Sequence, residues 1–263
     1  MCGVAGYSLG RSSDVDRTRA AQALLAAIAE RGADAVGYAY RTGDHEIRVE
    51  KQRSGASAVL DHIAIPTDAR QALLHVRDYT KGHPRINANN HPVRHGAVVG
   101  IHNGKIANDD ELMAEFGFER AEPGMTVDSE VIFAVAEATD SDAVGFEAFR
   151  GSMAAAWLDE RRPELLYLAR GVGRPLWIGT TRRELFFAST ERALEIAERY
   201  TGVRLRKREI DEGTLLEVAG AQVARRQRFT PDLSYEPDPL PAVRAPHEGA
   251  FCLQRLAALA AAA

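Results

Sequence analysis

The order of strand-like and helix-like stretches most restricts the fold of this chain. Strand-like runs occupy much of residues 3–102, three helical patterns follow between residues 109 and 149, and strand-like runs dominate again from residue 154. A chain built from βαβ units would instead alternate one strand with one helix throughout. The order therefore favours a layered α+β domain.

Two local patterns in the first fifty residues are specific enough to predict single elements. Apolar residues recur at helical spacing from Asp14 to Arg31, with Ser13 or Asp14 as the N-cap and Gly32 as the stop. The turn residues 42–44 separate two strand-like runs and predict a hairpin. Further strands are predicted at 3–9, 72–76, 97–102, 154–158, 165–169, 176–179, 185–188, 214–218 and 222–227, and further helices at 109–116, 129–138, 142–149 and 191–200.

Two irregular stretches interrupt this pattern. Residues 77–95 are polar and rich in Gly, Pro, Asn and His, and a loop of that length inside a compact domain is usually functional or disordered. Residues 231–246 contain five prolines, which prevents regular structure there, and the alanine-rich end from Gly249 suits a short helix. We therefore predict a domain over residues 2–228 and a C-terminal tail over residues 229–263.

Composition excludes several classes of protein. With 263 residues and 45% apolar side chains, the chain can bury one sizeable core. A net charge of -4 provides no basic field for nucleic acid. The beginning of the sequence is not typical of a signal peptide, and no apolar run reaches the length of a membrane span, so we expect a cytoplasmic protein. The two cysteines, Cys2 and Cys252, offer neither a disulfide framework nor metal-ligand spacing.

Cys2 becomes the first residue when the initiator Met1 is removed. An N-terminal cysteine carries a thiol and its own base, because an α-amine has a pKa of roughly 7.7 to 8.0 and is partly neutral at physiological pH. The thiolate formed in this way is a nucleophile. The alternative is that Cys2 is a small apolar residue buried before a strand.

Six short motifs place Cys2 in a wider pattern. In chain order they are CGVAGY from Cys2, RGADAVG from Arg31, HVR from His75, NHP from Asn90, HNGKIAN from His102 and VDSEVI from Val127. In this order and spacing, the chain resembles the glutaminase domain of class II glutamine amidotransferases, which are N-terminal-nucleophile hydrolases. The resemblance is strongest to the glutaminase half of glucosamine-6-phosphate synthase. It implies a four-layer αββα sandwich that hydrolyses glutamine to glutamate and ammonia through a Cys2 thioester.

The resemblance also assigns roles to residues around Cys2. Asn103 and Gly104 match the oxyanion hole, which must donate hydrogen bonds where negative charge develops; Asn-Gly is equally a signal for a tight turn. Arg77 matches the residue that holds the α-carboxylate of glutamine, and Asp128 the one that holds its α-ammonium. Without the resemblance, Arg77 is a loop charge and Asp128 is the N-cap of the helix that follows it.

The other motif residues are expected to support the site. Thr80 and Gly82 fall in the loop that closes over glutamine in this family, and Arg31 and Asp34 lie in a motif near the nucleophile. Histidines His75, His91 and His102 are read as structural, and neither a metal nor an organic cofactor is implied.

Two departures from the family pattern leave the function open to other interpretations. Asp78 and Lys81 stand where the synthase family has an aromatic residue and a histidine, and no acceptor domain for ammonia follows the glutaminase motifs. We therefore expect a stand-alone glutaminase that supplies a separate synthetase or isomerase subunit. The alternatives are a hydrolase of another γ-glutamyl amide and a catalytically silent regulatory or binding subunit.

Overall fold

The computed structural model describes residues 2–236 and 241–262. Part of the proline-rich stretch, Met1 and Ala263 lie outside the described residues. In chain order the strands are β1 (Gly3–Leu9), β2 (Ala35–Arg41), β3 (Ile47–Gln52), β4 (Gln71–Arg77), β5 (Val93–His95), β6 (Val98–Ile106), β7 (Gly151–Asp159), β8 (Leu165–Arg170), β9 (Trp177–Thr180), β10 (Glu184–Ala188), β11 (Arg206–Glu209), β12 (Thr214–Ala219) and β13 (Gln222–Arg228). The helices are α1 (Arg17–Ile28), α2 (Asp109–Glu115), α3 (Glu130–Ala138), α4 (Glu191–Thr201) and α5 (Pro246–Ala261).

The strands form two sheets in which neighbouring strands are antiparallel. Sheet I has seven strands in the order β11-β9-β10-β1-β4-β2-β3, and sheet II has six in the order β13-β12-β8-β7-β6-β5. Strand β1 lies inside sheet I between β10 and β4, with Gly3 opposite Val76. Strand β6 lies inside sheet II between β5 and β7, with Asn103 opposite Ala154. Cys2, the residue after Met1, therefore directly precedes an interior strand.

Alternating side chains of the strands fill separate layers of the core. Val4 of β1 and Leu73 of β4 point into an apolar core between the two sheets, together with Ile101 of β6. Their neighbours Ala5 and Leu74 point the other way, against the helices α1, α4 and α5. Because successive side chains of a strand face opposite sides, each interior strand serves two cores.

The outer face of sheet II carries the third core. Trp157 of β7 packs there with Phe133 of α3, and α2 adds Leu112. Helices thus cover the outer faces of two stacked antiparallel sheets. The predicted four-layer αββα arrangement of an α+β domain is confirmed.

Several predicted elements are confirmed with altered ends. Strands β2 and β3 pair as the predicted hairpin. Helix α1 begins later than predicted: Asp16, rather than Ser13 or Asp14, is its N-cap, and the Asp16 carboxylate accepts a hydrogen bond from the Arg19 backbone N–H at 2.9 Å. The helix predicted over 142–149 is a 3-10 helix over Ala143–Ala148. This segment still buries Phe146 in the core beneath sheet II.

The C-terminal region contributes to the core. Helix α5 packs on α1, and its residues Cys252 and Leu256 are fully buried. The predicted boundary at residue 228 stays a prediction. Across residues 2–236 and 241–262, none of the helices is long and apolar enough to cross a membrane.

Candidate active site

A cavity of about 380 Å³ opens where Cys2, which directly precedes β1 of sheet I, meets the C-terminal part of β6 in sheet II. Of the predicted site residues, Cys2, Thr80, Asn103 and Gly104 line it. The remaining lining residues are Asp78, Lys105, Ala107, Arg150, Gly151, Arg174, Asp232, Ser234, Tyr235 and Glu236. The fold therefore brings together the proposed nucleophile and both proposed oxyanion donors, which are about one hundred residues apart in sequence.

The Cys2 side chain is half-buried, and its backbone carbonyl group accepts a hydrogen bond. The Arg31 Nε donates a hydrogen bond to the Cys2 carbonyl oxygen at 2.9 Å, and the Cys2 Sγ lies 3.5 Å from the Asp78 carbonyl oxygen. Burial raises the pKa of the Cys2 thiol, against the opposing effects of the Asp78 carbonyl and of Arg77. The thiol therefore needs a base to become a thiolate near neutral pH.

Asn103 is fully buried, and neither its amide nitrogen nor its amide oxygen has a hydrogen-bond partner among the described residues. Buried amides are nearly always hydrogen-bonded, and leaving one unpaired costs on the order of 1 to 3 kcal/mol. An amide held this way in a cavity wall beside a thiol is suited to bind a polar atom of a ligand.

Gly104 has a backbone conformation that other residues adopt only with strain, since its φ is +148°. A Cβ atom there would lie 2.0 Å from the Ser152 carbonyl oxygen and 2.7 Å from the His102 Nε2. Asn103 and Gly104 both lie within β6, which pairs with β7 as far as Ile106. The alternative reading of Asn-Gly as a tight turn is therefore wrong.

Arg77 is buried at the end of β4, behind the cavity wall. Its guanidinium donates hydrogen bonds to Asn90 Oδ1 at 2.6 Å, to the Lys81 carbonyl oxygen at 2.8 Å and to the Gly82 carbonyl oxygen. Burial lowers the pKa of Arg77, whereas the charges of Cys2 and Asp128 raise it. Arg77 thus lies near both groups and shapes the loop that contains Thr80 and Gly82.

Asp128 is also buried, on the sheet II side of the site. Its Oδ2 accepts a hydrogen bond from the Ile106 backbone N–H at 2.8 Å. Burial raises the pKa of Asp128 to about 6, although that hydrogen bond acts in the opposite direction. Asp128 was alternatively read as the N-cap of α3; that position is occupied by Ser129, and the Asp128 carboxylate connects the helix start to β6 instead.

Asp34 supports the same loop from sheet I. Its carboxylate accepts a hydrogen bond from the Tyr79 backbone N–H at 2.9 Å, and its backbone N–H donates to the Arg77 carbonyl oxygen at 2.9 Å. Arg31 and Asp34 therefore hold the two chain segments on either side of the Cys2 thiol, the start of β1 and the loop after β4.

The three motif histidines are buried and make structural contacts. His75 Nε2 lies 3.0 Å from the His102 carbonyl oxygen, and the His75 ring stacks on His91 with a centroid separation of 4.1 Å. Burial lowers the pKa of both His75 and His102 to about 3, so both rings are neutral at physiological pH. Across residues 2–236 and 241–262, no three or more His, Cys, Asp or Glu side chains form a metal-binding group.

One wall of the cavity was not predicted from the sequence. Asp232 Oδ2 accepts a hydrogen bond from the Gly151 backbone N–H at 2.8 Å, which fixes the chain so that Ser234, Tyr235 and Glu236 line the cavity. Arg174 is nine-tenths buried in the same wall. No sequence motif marks these residues; their only shared feature is that they follow strands of sheet II.

Comparison with known proteins identifies the family to which the chain belongs. A family described as "Glutamine amidotransferase domain" matches residues 82–196. A glutamine–fructose-6-phosphate aminotransferase (isomerizing) from Bradyrhizobium diazoefficiens is 32% identical over 205 residues, covering 74% of this chain and 32% of that protein. The protein of the same description from Escherichia coli strain K12 is 30% identical over 258 residues, covering 90% of this chain and 40% of that protein. The chain thus spans less than half the length of these relatives.

Two solved structures share the fold. A glutamine phosphoribosylpyrophosphate amidotransferase from B. subtilis aligns with a TM-score of 0.65 at 19% identity, covering 87% of this chain and 49% of that one. A structure described as the allosteric regulatory enzyme of purine biosynthesis aligns with a TM-score of 0.69 at 20% identity, over the same shares of the two chains. The expected N-terminal-nucleophile hydrolase fold is confirmed. The sequence matches show that the chain carries a class II glutamine amidotransferase domain.

Proposed function

We propose that this chain hydrolyses the side-chain amide of glutamine to glutamate and ammonia, with Cys2 as the nucleophile. The observation that carries the proposal is the unpartnered amide of Asn103 in the same cavity wall as the Cys2 thiol. An acyl-transfer site requires a hydrogen-bond donor near the nucleophile, because that donor stabilises the oxyanion that forms during the reaction. Gly104 lies next to it, and the absence of a side chain there allows a substrate to approach the backbone N–H closely.

The reaction proceeds through two acyl-transfer steps. With Met1 removed, the free α-amine of Cys2 takes the thiol proton, and the thiolate attacks the amide carbon of glutamine. The resulting oxyanion is stabilised by hydrogen bonds from the Asn103 side-chain amide and the Gly104 backbone N–H. Its collapse breaks the C–N bond, and the α-ammonium of Cys2 returns the proton to the departing nitrogen, which leaves as ammonia. The α-amine then takes a proton from a water molecule, whose oxygen attacks the thioester carbon to form a second oxyanion. Collapse of this oxyanion breaks the C–S bond, releases glutamate and returns the proton to the Cys2 sulfur.

Arg77 and Asp128 are the proposed clamps for the two charged groups of the amino acid. Arginine has five N–H donors, and the three contacts of the Arg77 guanidinium leave donors for the α-carboxylate. Asp128 uses Oδ2 for Ile106, which leaves Oδ1 for the α-ammonium. A bound ammonium would also favour the ionised form of this buried carboxyl group. Thr80 and Gly82 would complete the carboxylate side of the site.

We further propose that the ammonia is passed to a separate synthetase or isomerase subunit. Support comes from the relatives, which are described as glutamine–fructose-6-phosphate aminotransferases (isomerizing). Co-purification of such a partner, with glutamine-dependent amination restored on mixing, tests this part of the proposal. Amination supported by glutamine in the absence of any partner would contradict it.

A second candidate is a hydrolase of another γ-glutamyl amide. The observation that favours this candidate is that Arg174 and Tyr235 also line the cavity. In a substrate with a substituted amide nitrogen, this extension could hold the substituent. The two candidates differ in which amide is hydrolysed with the highest kcat/KM.

The experiment is to measure glutamate release from glutamine and from a panel of N-substituted γ-glutamyl amides, using protein whose first residue is Cys2. We expect glutamine to be preferred and Cys2→Ser to abolish release from every substrate. Cys252→Ala is the matched control, because this buried cysteine lies in α5 and does not line the cavity. A substituted amide preferred over glutamine would favour the second candidate, and no hydrolysis of any amide would favour a regulatory subunit.

A further inference from the structure

Four charged side chains form a compact group beside the proposed site, here named the ion cluster: Lys81, Asp109, Asp110 and Arg120. Lys81 Nζ lies 2.8 and 2.7 Å from the two carboxylate oxygens of Asp109 and 2.7 Å from Asp110 Oδ2. Arg120 Nη2 lies 2.7 Å from Asp110 Oδ1 and 3.5 Å from Asp109 Oδ2. Each acid therefore contacts both cations.

One of the two acids in the ion cluster is buried and the other is exposed. The side chain of Asp109 is only 3% exposed, whereas that of Asp110 is 72% exposed. A carboxylate buried to this extent is costly unless it is paired, which makes the positions of Lys81 and Arg120 strongly restricted. Burial opposes the charge of Lys81, but its hydrogen bonds to Asp109 and Asp110 raise the pKa of Lys81 overall.

The backbone of Lys81 connects the ion cluster to Arg77. Lys81 uses its side chain for the cluster and its backbone carbonyl for a hydrogen bond from the Arg77 guanidinium at 2.8 Å. Thr80, which lines the cavity, directly precedes it. A displacement of the Lys81 backbone would therefore move an acceptor that orients Arg77.

Arg120 connects the ion cluster to the Asp128 side of the site. Arg120 Nη1 donates hydrogen bonds to the Val127 carbonyl oxygen at 3.1 Å and to Glu130 Oε2 at 3.0 Å. These acceptors lie one residue before and two residues after Asp128. Arg120 thereby holds the backbone just before the proposed ammonium clamp and the Glu130 side chain just after it.

We propose that the ion cluster is a positioning device that sets the separation between Arg77 and Asp128, and so matches it to the α-carboxylate and α-ammonium of a free amino acid. This inference rests on the proposed function. Lys81 and Arg120 act through the clamps and do not themselves contact the substrate. Lys81 of the ion cluster is the residue at which the sequence departs from the histidine of the family pattern.

The test compares Lys81→Met with Lys81→Arg, Asp110→Asn and a control, Lys207→Met. Lys207 is a matched lysine because it pairs with Glu198 at 2.6 Å, far from the cavity lining. The measurements are KM and kcat for glutamine, the inhibition constant of glutamate, and the melting temperature. Glutamate carries the same α-carboxylate and α-ammonium as glutamine but undergoes no reaction.

We expect Lys81→Met to raise KM and the glutamate inhibition constant together, on the order of tenfold, with kcat within about twofold of the wild type. Asp110→Asn, which alters only the exposed acid, should show a smaller shift in the same direction. Lys81→Arg should restore both constants, since arginine can pair with both acids. Lys207→Met should leave both constants unchanged.

Unchanged constants in Lys81→Met, or a loss of kcat without a change in KM, would overturn the inference while leaving glutamine hydrolysis in place. Failure of the wild-type protein to hydrolyse glutamine would refute the proposed function itself, and the inference with it. A lower melting temperature alone, with unchanged constants in the folded variant, would reduce the ion cluster to a structural role.

Discussion

Asn103 and Gly104 contribute to the site an amide group without a hydrogen-bond partner among the described residues and a position without a side chain. The Asn103 amide has no partner among the described residues, although the side chain is fully buried. Gly104 has no room for a side chain, since the Ser152 carbonyl oxygen would lie 2.0 Å from an added Cβ. Both features cost stability, and such costs are found where a fold retains a functional geometry.

Gly104→Ala tests the requirement for glycine. The clash with Ser152 and the φ of +148° should destabilise the protein by about 3 kcal/mol or displace β6, and either outcome should abolish glutamine hydrolysis. Gly117→Ala is the control, because Gly117 also has a positive φ, +68°, but has nothing within 4 Å of an added Cβ. It should cost only about 1 kcal/mol and leave activity intact. Equal effects of the two substitutions in urea unfolding would contradict this account.

The raised pKa of Asp128 predicts a pH dependence of stability. Its pKa is about 6 in the folded protein and 3.8 when unperturbed, so the folded state binds the proton more tightly. Between these two values the free energy of unfolding should therefore fall as pH rises, by at most about 3 kcal/mol from this group. Asp128→Asn should remove that contribution.

The measurement is urea unfolding of both proteins at several pH values between 4.5 and 7. Relative to the wild type, Asp128→Asn should become more stable as pH rises through about 6, because the variant carries no buried charge there. A difference between the two proteins that does not vary with pH would show that Asp128 titrates normally.

Only part of the site could be predicted at the residue scale. Cys2, Asn103 and Gly104 occur in motifs whose order is visible in the sequence, and the fold places all three around one cavity. Asp232 and Tyr235 could not be predicted, because they belong to an irregular segment whose position is set by a hydrogen bond to Gly151, 81 residues earlier. Contacts of this kind leave no local pattern.

Among the elements, the interior strands were predicted best and the marginal ones were missed. Strand β1 is apolar and has the bounds predicted for it, residues 3–9. Strand β6 was predicted only over residues 97–102, because its apolar first half is followed by the largely polar sequence HNGKI. Strand β11, with the sequence RKRE, contains no apolar residue, and it becomes a strand only because it pairs with β9 at the edge of sheet I. Strand β5 has three residues and depends in the same way on pairing with β6.

Helix α5 provides a prediction at this scale, because its sequence suggested a short terminal helix without a defined partner. Leu256 is fully buried, and Phe251 on the same helix is 52% exposed. Leu256→Ala should lower the free energy of unfolding by about 2 to 4 kcal/mol, and Phe251→Ala by no more than about 0.5 kcal/mol. Similar small effects from both, measured by urea unfolding, would mean that α5 does not pack on the domain in solution.

For the whole molecule, the position of the site follows from the stacking of the two sheets. Strand β1 lies inside sheet I and β6 inside sheet II, so Cys2, which directly precedes β1, meets the C-terminal part of β6. Cys2 is thereby placed in the wall of the cavity. In the proposed mechanism the free α-amine of Cys2 is the base, and a residue linked ahead of Cys2 would remove that base.

The central claim is that the free α-amine of Cys2 is the catalytic base. Its most direct test is the rate of ammonia release from glutamine by two proteins that differ by one residue: one that begins at Cys2 and one that keeps a single glycine before it, both confirmed by intact mass. We predict a loss of at least about 100-fold in the extended protein, the scale of a lost general base, with an unchanged unfolding curve. Equal rates in the two proteins would contradict the mechanism.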